Sequence, residues 1–249
     1  IGVEQSKVPS LLRGKEGTKV DIEIARHGEP RPLGFTIVRR QIPITTVDAA
    51  YMITPTTAYI KVNRFARKTM EEFREAMNKM PQAKQLILDL RGNGGGLIDP
   101  AIEMASYFLS KGSAVVSTEG RVIPTETYSA RRDGEFMKGK VVVLIDETSA
   151  SASEIVSGAL QDWDRATIIG RPSFGKGLVQ RQIPMVDGSA VRLTVARYHT
   201  PTGRVIQRPF EKGKREEYYA NLMKRLTGDY AVDSVALDTL PKYKTLVKG

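Results

Sequence analysis

Residues 141–156 read Val-Val-Val-Leu-Ile-Asp-Glu-Thr-Ser-Ala-Ser-Ala-Ser-Glu-Ile-Val. An apolar run ends, and small residues lead straight into a helical pattern. Small side chains let the backbone turn sharply and let a substrate approach. A serine at such a turn lies over a helix N-terminus, where amide groups point at any oxyanion formed there. The physical idea is that of a nucleophile elbow, with different residues. Serines also cap helices routinely, so the motif alone leaves both readings open. Ser149 is the natural cap, and Ser153 and Glu154 fall in the first turn, where an acid suits the helix dipole.

A second stretch is Gly170-Arg171-Pro172-Ser173-Phe174-Gly175-Lys176-Gly177. Glycines on both sides leave Lys176 free to approach a serine. A lysine withdrawn from water gives up its proton more readily, and a neutral amine can take the proton of a serine hydroxyl. The competing reading is a phosphate loop. It lacks the Ser or Thr that should follow the lysine, and Pro172 removes an amide donor. A third stretch, Arg91-Gly92-Asn93-Gly94-Gly95-Gly96, follows an apolar strand. Consecutive glycines can present backbone amides to an oxyanion, or simply make a flexible turn.

The rest of the sequence must bring these loops together. Tyr59–Val62, Gln85–Leu90, Val141–Ile145 and Ala166–Ile169 read as strands. They alternate with helices starting at Thr69 (as cap), about Pro100 to Leu109, and Ala150 to Asp162. Such alternation predicts an α/β fold with parallel strands, whose C-terminal ends share one edge. Gln180–Pro184 and Ala190–Tyr198 read as a strand pair turning at Asp187-Gly188. Residues 1–43 read as a β-rich N-terminal piece, with Val20, Ile22 and Ile24 alternating and a turn at His27–Pro30. Residues 44–206 form the α/β core. Residues 207–249 form a polar arm, with a helix over Arg215–Arg225, that can pack on a partner.

Composition removes several chemistries. The 249 residues contain no cysteine, which excludes disulfides, thiolate metal sites and a cysteine nucleophile. The two histidines, His27 and His199, sit in a turn and at a strand end. Neither context suggests a triad base, and two histidines do not make a histidine-rich zinc site. The net charge of +10 is spread along the chain, which reads as solvated surface rather than a nucleic-acid site. No apolar stretch has membrane-helix length. Ile1 to Ser10 lack the charged start and apolar run of a signal peptide, and a processed or trimmed exported chain would look the same.

Three stretches in this order, 88–96, 147–155 and 173–180, resemble the carboxy-terminal processing or tail-specific proteases, Ser–Lys peptidases of the S41 type. The likeness covers about residues 8–206 and looks strongest toward members from Bacteroidetes-type bacteria. It implies a crotonase-like (ClpP/crotonase) protease core, Ser151 as nucleophile, Lys176 as general base and Gln180 orienting the lysine. It implies an oxyanion hole from Ala152, Gly95 and Gly96, with Asp162 as a supporting acid. The implied activity is serine-type endopeptidase cleavage at or near protein C-termini through an acyl-enzyme, with no cofactor or metal.

The resemblance further implies protein or peptide substrates with accessible C-termini and a location in the bacterial cell envelope, in the periplasm. Membrane association of a full-length protein and a homo-oligomer are compatible with it. The family also carries a peptide-binding PDZ module. Here only its first residues and its later half are matched, and the carboxylate-binding middle is missing between Lys7 and Val8. We read that gap as a disordered stretch absent from the sequence rather than a deletion. The alternative function is a non-catalytic peptide- or ligand-binding protein on the same fold, since fold does not fix function.

Overall fold

A computed structural model describes residues 3–41, 45–227 and 241–249. The chain divides into two compact units, 1–44 and 45–249. In the first, a 3-10 turn at Gln5–Lys7 runs directly into α1 (Val8–Leu12), and β1 (Lys19–Ile24) pairs antiparallel with β2 (Leu33–Val38). Arg39 ties this unit together: its guanidinium donates to the carbonyls of Leu12 and Lys19 and to Thr18 Oγ1. Phe35, Ile37 and Val38 remain exposed, so this hairpin has no core of its own.

The second unit holds β3 (Val47–Thr54), β4 (Thr57–Val62), α2 (Thr69–Asn78), β5 (Gln85–Asp89) and α3 (Ile98–Ser106). It continues through β6 (Ala114–Glu119), β7 (Glu126–Ser129), β8 (Lys140–Ile145), α4 (Ala152–Asp162) and β9 (Thr167–Gly170). It ends with β10 (Leu178–Pro184), β11 (Ala190–His199) and α5 (Arg215–Thr227). One sheet has the order β3-β4-β5-β8-β9, parallel except for the β3–β4 hairpin. A second, antiparallel sheet has the order β10-β11-β6-β7. Its β6 packs on α3 and α4, and α4 also packs on β9 of the first sheet. Buried on all sides, α4 needs small and apolar residues around its whole girth, and Ala-Ser-Glu-Ile-Val-Ser-Gly-Ala-Leu provides them. The fold is mixed α/β, as the alternation predicted.

The helix starts differ from expectation. Thr69 does not cap α2: Lys68 occupies that position, and Thr69 Oγ1 instead accepts the Ala66 amide in the preceding turn. Ser149 does not cap α4 either. Its hydroxyl reaches across to the Leu90 carbonyl at 2.8 Å, and the helix begins two residues later, with Ser151 at the N-cap. Strands β3, β6 and β7 are not foreseen by the sequence pattern, because none shows a sustained apolar alternation. The helix expected over Arg215–Arg225 is α5. Residues 228–240 of the polar arm lie outside the described residues.

Candidate active site

Because β5, β8 and β9 are adjacent and parallel, the chain leaves one sheet edge after each of them. The loop after β5 carries the glycines, the turn after β8 carries Ser151, and the loop after β9 carries Lys176. Hydrogen bonds lace the three together. The Ala150 amide donates to the Asn93 carbonyl at 3.0 Å, and Ser153 Oγ donates to the same carbonyl at 2.9 Å. The Phe174 amide donates to the Ser149 carbonyl at 3.0 Å.

Ser151 adopts φ 57 and ψ −110, which puts a non-glycine residue in the left-handed region. Such a conformation is uncommon for a residue with a side chain and persists only where surroundings impose it. It lifts the serine out of the helix line at the N-terminus of α4. Gly95 lies directly against it: a Cβ on Gly95, at φ +94, would stand 2.6 Å from the Ala150 carbonyl oxygen and 2.8 Å from Ser151 Cβ. Glycine is therefore required there both by conformation and by space. The Gly95 amide donates to Asn93 Oδ1 at 2.9 Å. The amides of Ala152 and Gly96, by contrast, make no hydrogen bond with the described residues.

The feature that joins Ser151 to Lys176 is Glu154. This carboxylate is only 5% exposed and accepts hydrogen bonds from four donors. Its Oε2 takes the Ser151 and Lys176 amides, each at 2.8 Å, and its Oε1 takes the Gly175 amide at 2.6 Å and Ser173 Oγ at 2.7 Å. One side chain thus pins the backbone of both residues and satisfies a charge that would otherwise be costly to bury. Among the described residues no hydrogen bond joins Ser151 Oγ to Lys176 Nζ, and the Lys176 side chain is exposed.

Two further carboxylates stiffen the edge. Asp89, fully buried at the end of β5, accepts both Arg91 Nε at 3.0 Å and Tyr59 Oη at 2.6 Å. Burial alone would raise its pKa, but these donors outweigh it and hold the carboxyl below its ordinary value. Burial, reinforced by the hydrogen bond to Asp89, pushes the Tyr59 phenol up to about 12. Asp146 accepts the amides of Gly92, Thr148 and Ser149, linking the glycine loop to the serine turn. Burial opposes its ionisation, yet the hydrogen bonds of Thr148, Gly92 and Ser149 lower its pKa.

The family model for peptidase family S41 matches residues 56–213, which spans all three loops. The chain belongs to peptidase family S41. A carboxy-terminal-processing protease of Bartonella bacilliformis is 43% identical over 203 residues, covering 79% of this chain and 46% of that protein. Carboxy-terminal processing protease CtpA of Bacillus subtilis is 35% identical over 223 residues, 89% of this chain and 47% of that protein. The chain therefore spans about half the length of these curated relatives. Among solved structures, the photosystem II D1 C-terminal processing protease is similar with a TM-score of 0.60 and 30% identity, over 83% of this chain and 57% of that one. A putative S41 protease from Bacteroides fragilis has a TM-score of 0.56 over 92% of this chain and 71% of its own, and at 17% identity it supports the fold alone.

Within this S41 chain the remaining sequence-predicted residues are more dispersed. Gln180 lies on β10 just after a register shift, and its amide reaches Thr194 Oγ1 at 3.5 Å rather than Lys176. Asp162 sits at the opposite end of α4 from Ser151. At 1.5 Å rise per residue that places it about 16 Å away. Only 2% exposed, it accepts Thr202 N at 2.9 Å and Thr202 Oγ1 at 2.7 Å and pairs with Arg204, clamping the turn after β11. His199 faces Glu119 and the Gly203 carbonyl, and no hydrogen bond links it to Ser151. Sequence reasoning missed Glu154 as a link, although its signal was present: an acid three residues after a serine at a helix start is the capping-box spacing.

Proposed function

We propose that this S41 chain is the catalytic part of a serine endopeptidase, with Ser151 as nucleophile and Lys176 as general base. The observation that carries this reading is the Glu154 carboxylate, which holds the backbone amides of both residues. In its neutral form Lys176 takes the Ser151 hydroxyl proton as Oγ attacks the scissile carbonyl. The lysine side chain closes on the serine by rotation when substrate fills the edge; catalytic hydrogen bonds often tighten only in the complex. The oxyanion is held by the Ala152 amide at the start of α4 together with the glycine loop. There the Gly96 amide is the unengaged donor, and Gly95 supplies the space. Lys176 then protonates the leaving amine, and water hydrolyses the acyl-enzyme. Gln180 orients Lys176 once the lysine has turned inward.

The finer architecture follows the same reading. The core of the second unit is crotonase-like, and residues 1–43 are part of a PDZ-like peptide-binding module. The exposed apolar side chains of β1 and β2 support an incomplete module, because a hairpin alone cannot bury them. Residues 44–206 form the protease core and 207–249 an arm. The substrates are proteins with accessible C-termini, and the enzyme acts in the bacterial envelope, in the periplasm. The test is cleavage of an unfolded protein by wild type, Ser151→Ala and Lys176→Ala, each with its melting temperature. Both variants should be inactive and folded; full cleavage by either would sink the assignment.

A further inference from the structure

β7 is the outer strand of the second sheet, pairing only with β6 among the described residues. Just beyond it, Ala130 directs both backbone groups inward, donating to Ser113 O at 2.9 Å and accepting Gly112 N at 2.8 Å. Antiparallel alternation then turns the amides and carbonyls of Thr127 and Ser129 outward, toward the free edge. All four residues of β7 line a cavity of about 780 Å³, whose opposite wall is a face of α3 and whose end is the 131–135 segment. An exposed strand edge can capture an extended peptide by strand addition, and α3, which packs on β7, borders the same cavity. Four residues of β7 offer roughly 13 Å of edge, enough for about four peptide residues.

The lining also has a definite chemistry. Five carboxylates face three guanidinium groups. Arg74 is already paired with Glu103 at 2.7 Å and Glu135 at 3.1 Å, and Arg132 also pairs with Glu135. Three carboxylates, Asp99, Glu126 and Asp133, and one guanidinium, Arg131, have no ion-pair partner among the described residues, so the unpaired charge of the lining is net negative. Glu126 accepts the Tyr128 hydroxyl and Asp133 the Lys111 amide, each at 2.8 Å. In the wall sits Tyr107, only 7% exposed, its ring held edge-on by Phe73 and Phe108 at centroid distances of 5.3 Å. Its hydroxyl makes no hydrogen bond with the described residues. Burial, and then the nearby Glu135 charge, raises its pKa, so it stays a neutral donor and acceptor.

We propose that this groove binds an extended peptide segment bearing lysine or arginine, which adds to β7 as a further strand and sets its cations against Asp99 and Glu126. Asp99 is three residues beyond Gly96 (99 − 96), so the groove starts beside the catalytic edge. That the segment belongs to a substrate rests on the proteolytic reading; the binding itself does not.

The test uses the 249-residue chain carrying Ser151→Ala, so that cleavage plays no part. Fluorescence anisotropy follows labelled octapeptides alternating threonine with lysine or with glutamate. The lysine peptide should bind saturably and weaken with salt, and the glutamate peptide should not bind. Asp99→Asn with Glu126→Gln, both exposed side chains, should weaken binding by roughly three- to tenfold. Thr127→Pro removes an outward donor without touching the β6 pairing and should weaken it further; Tyr107→Phe removes only the hydroxyl. Circular dichroism melts confirm that each variant is folded. Equal binding of the two peptides, absence of saturation, or affinity unchanged in every folded variant overturns the proposal. Self-association abolished by the Asp99→Asn/Glu126→Gln pair would also overturn it, by making a second copy the occupant. With Ser151 restored in the same groove variants, loss of peptide binding with intact proteolysis, or the reverse, separates this proposal from the assignment of Ser151 and Lys176.

Discussion

Replacing Glu154 by glutamine changes one atom type at the junction of the Ser151 and Lys176 loops. The carboxylate accepts four hydrogen bonds, two on each oxygen. Glutamine keeps one acceptor oxygen and turns an NH2 group toward two donors. Either the Ser151 and Lys176 amides or the Gly175 amide and Ser173 hydroxyl then face a donor. Hydrogen bonds to a charged group contribute about 1.5–3 kcal/mol each, so losing two costs at least about 3 kcal/mol. For a unit of this size each kcal/mol lowers the melting temperature by about 2–4 °C, which gives a drop of about 6–12 °C. The same loss frees the Lys176 loop to move relative to Ser151. A misplacement of about 1 Å in a catalytic pair can cost about a hundredfold in rate. We therefore expect kcat to fall about a hundredfold on an unstructured fluorogenic peptide, with KM little changed and the protein folded. Glu154→Asp, which keeps the charge on a shorter arm, should recover part of the rate. A Glu154→Gln enzyme with wild-type kcat but a lowered melting temperature would show that the carboxylate supports the fold and not the dyad. Unchanged kcat and unchanged melting would refute the hydrogen-bond arrangement itself.

Gly95→Ala should abolish activity while leaving the protein folded, because the new methyl would press on the Ala150 carbonyl and Ser151 Cβ at positive φ; peptide hydrolysis near the wild-type rate would contradict that packing. Asp162→Asn should lower the melting temperature by several degrees and leave kcat within about threefold, since the residue clamps Thr202 and Arg204 far from Ser151. A hundredfold loss of kcat without any change in melting would instead tie Asp162 to the chemistry. Tyr59 has a folded pKa of about 12, above its unfolded value of 10.0. Its stabilising contribution is thus complete below pH 10 and is lost as pH rises through about 12. Tyr59→Phe should flatten the fall in melting temperature between pH 9 and 11.5, and an identical fall in both proteins would exclude this role.

The parts of the site readable from sequence were those fixed by backbone rules. An apolar strand such as Val141–Ile145 followed by small residues had to end at a sheet edge. Parallel order then carried Gly95, Ser151 and Lys176 to that same edge. What escaped the sequence was the wiring between them. Glu154 looks like any acid in a first helical turn until the Lys176 loop folds onto it from 22 residues away (176 − 154). Ser149 looked like the cap because serine favours that position, but its hydroxyl is better used across the strand end at Leu90. The strained φ of Ser151 then shifts the helix start by two residues. Strand β7 was hidden because Glu-Thr-Tyr-Ser has no apolar alternation, and its pairing with β6 is a tertiary property.

Ser151 is proposed as a nucleophile activated by Lys176. The most direct measurement is intact-mass and peptide-mapping analysis of the protein after exposure to a serine-reactive fluorophosphonate. One adduct is expected, on Ser151, forming in the wild type and at least about a hundredfold more slowly in Lys176→Ala, with Ser149 and Ser153 unmodified. An adduct on another serine, or labelling of Ser151 at the same rate without Lys176, would contradict it.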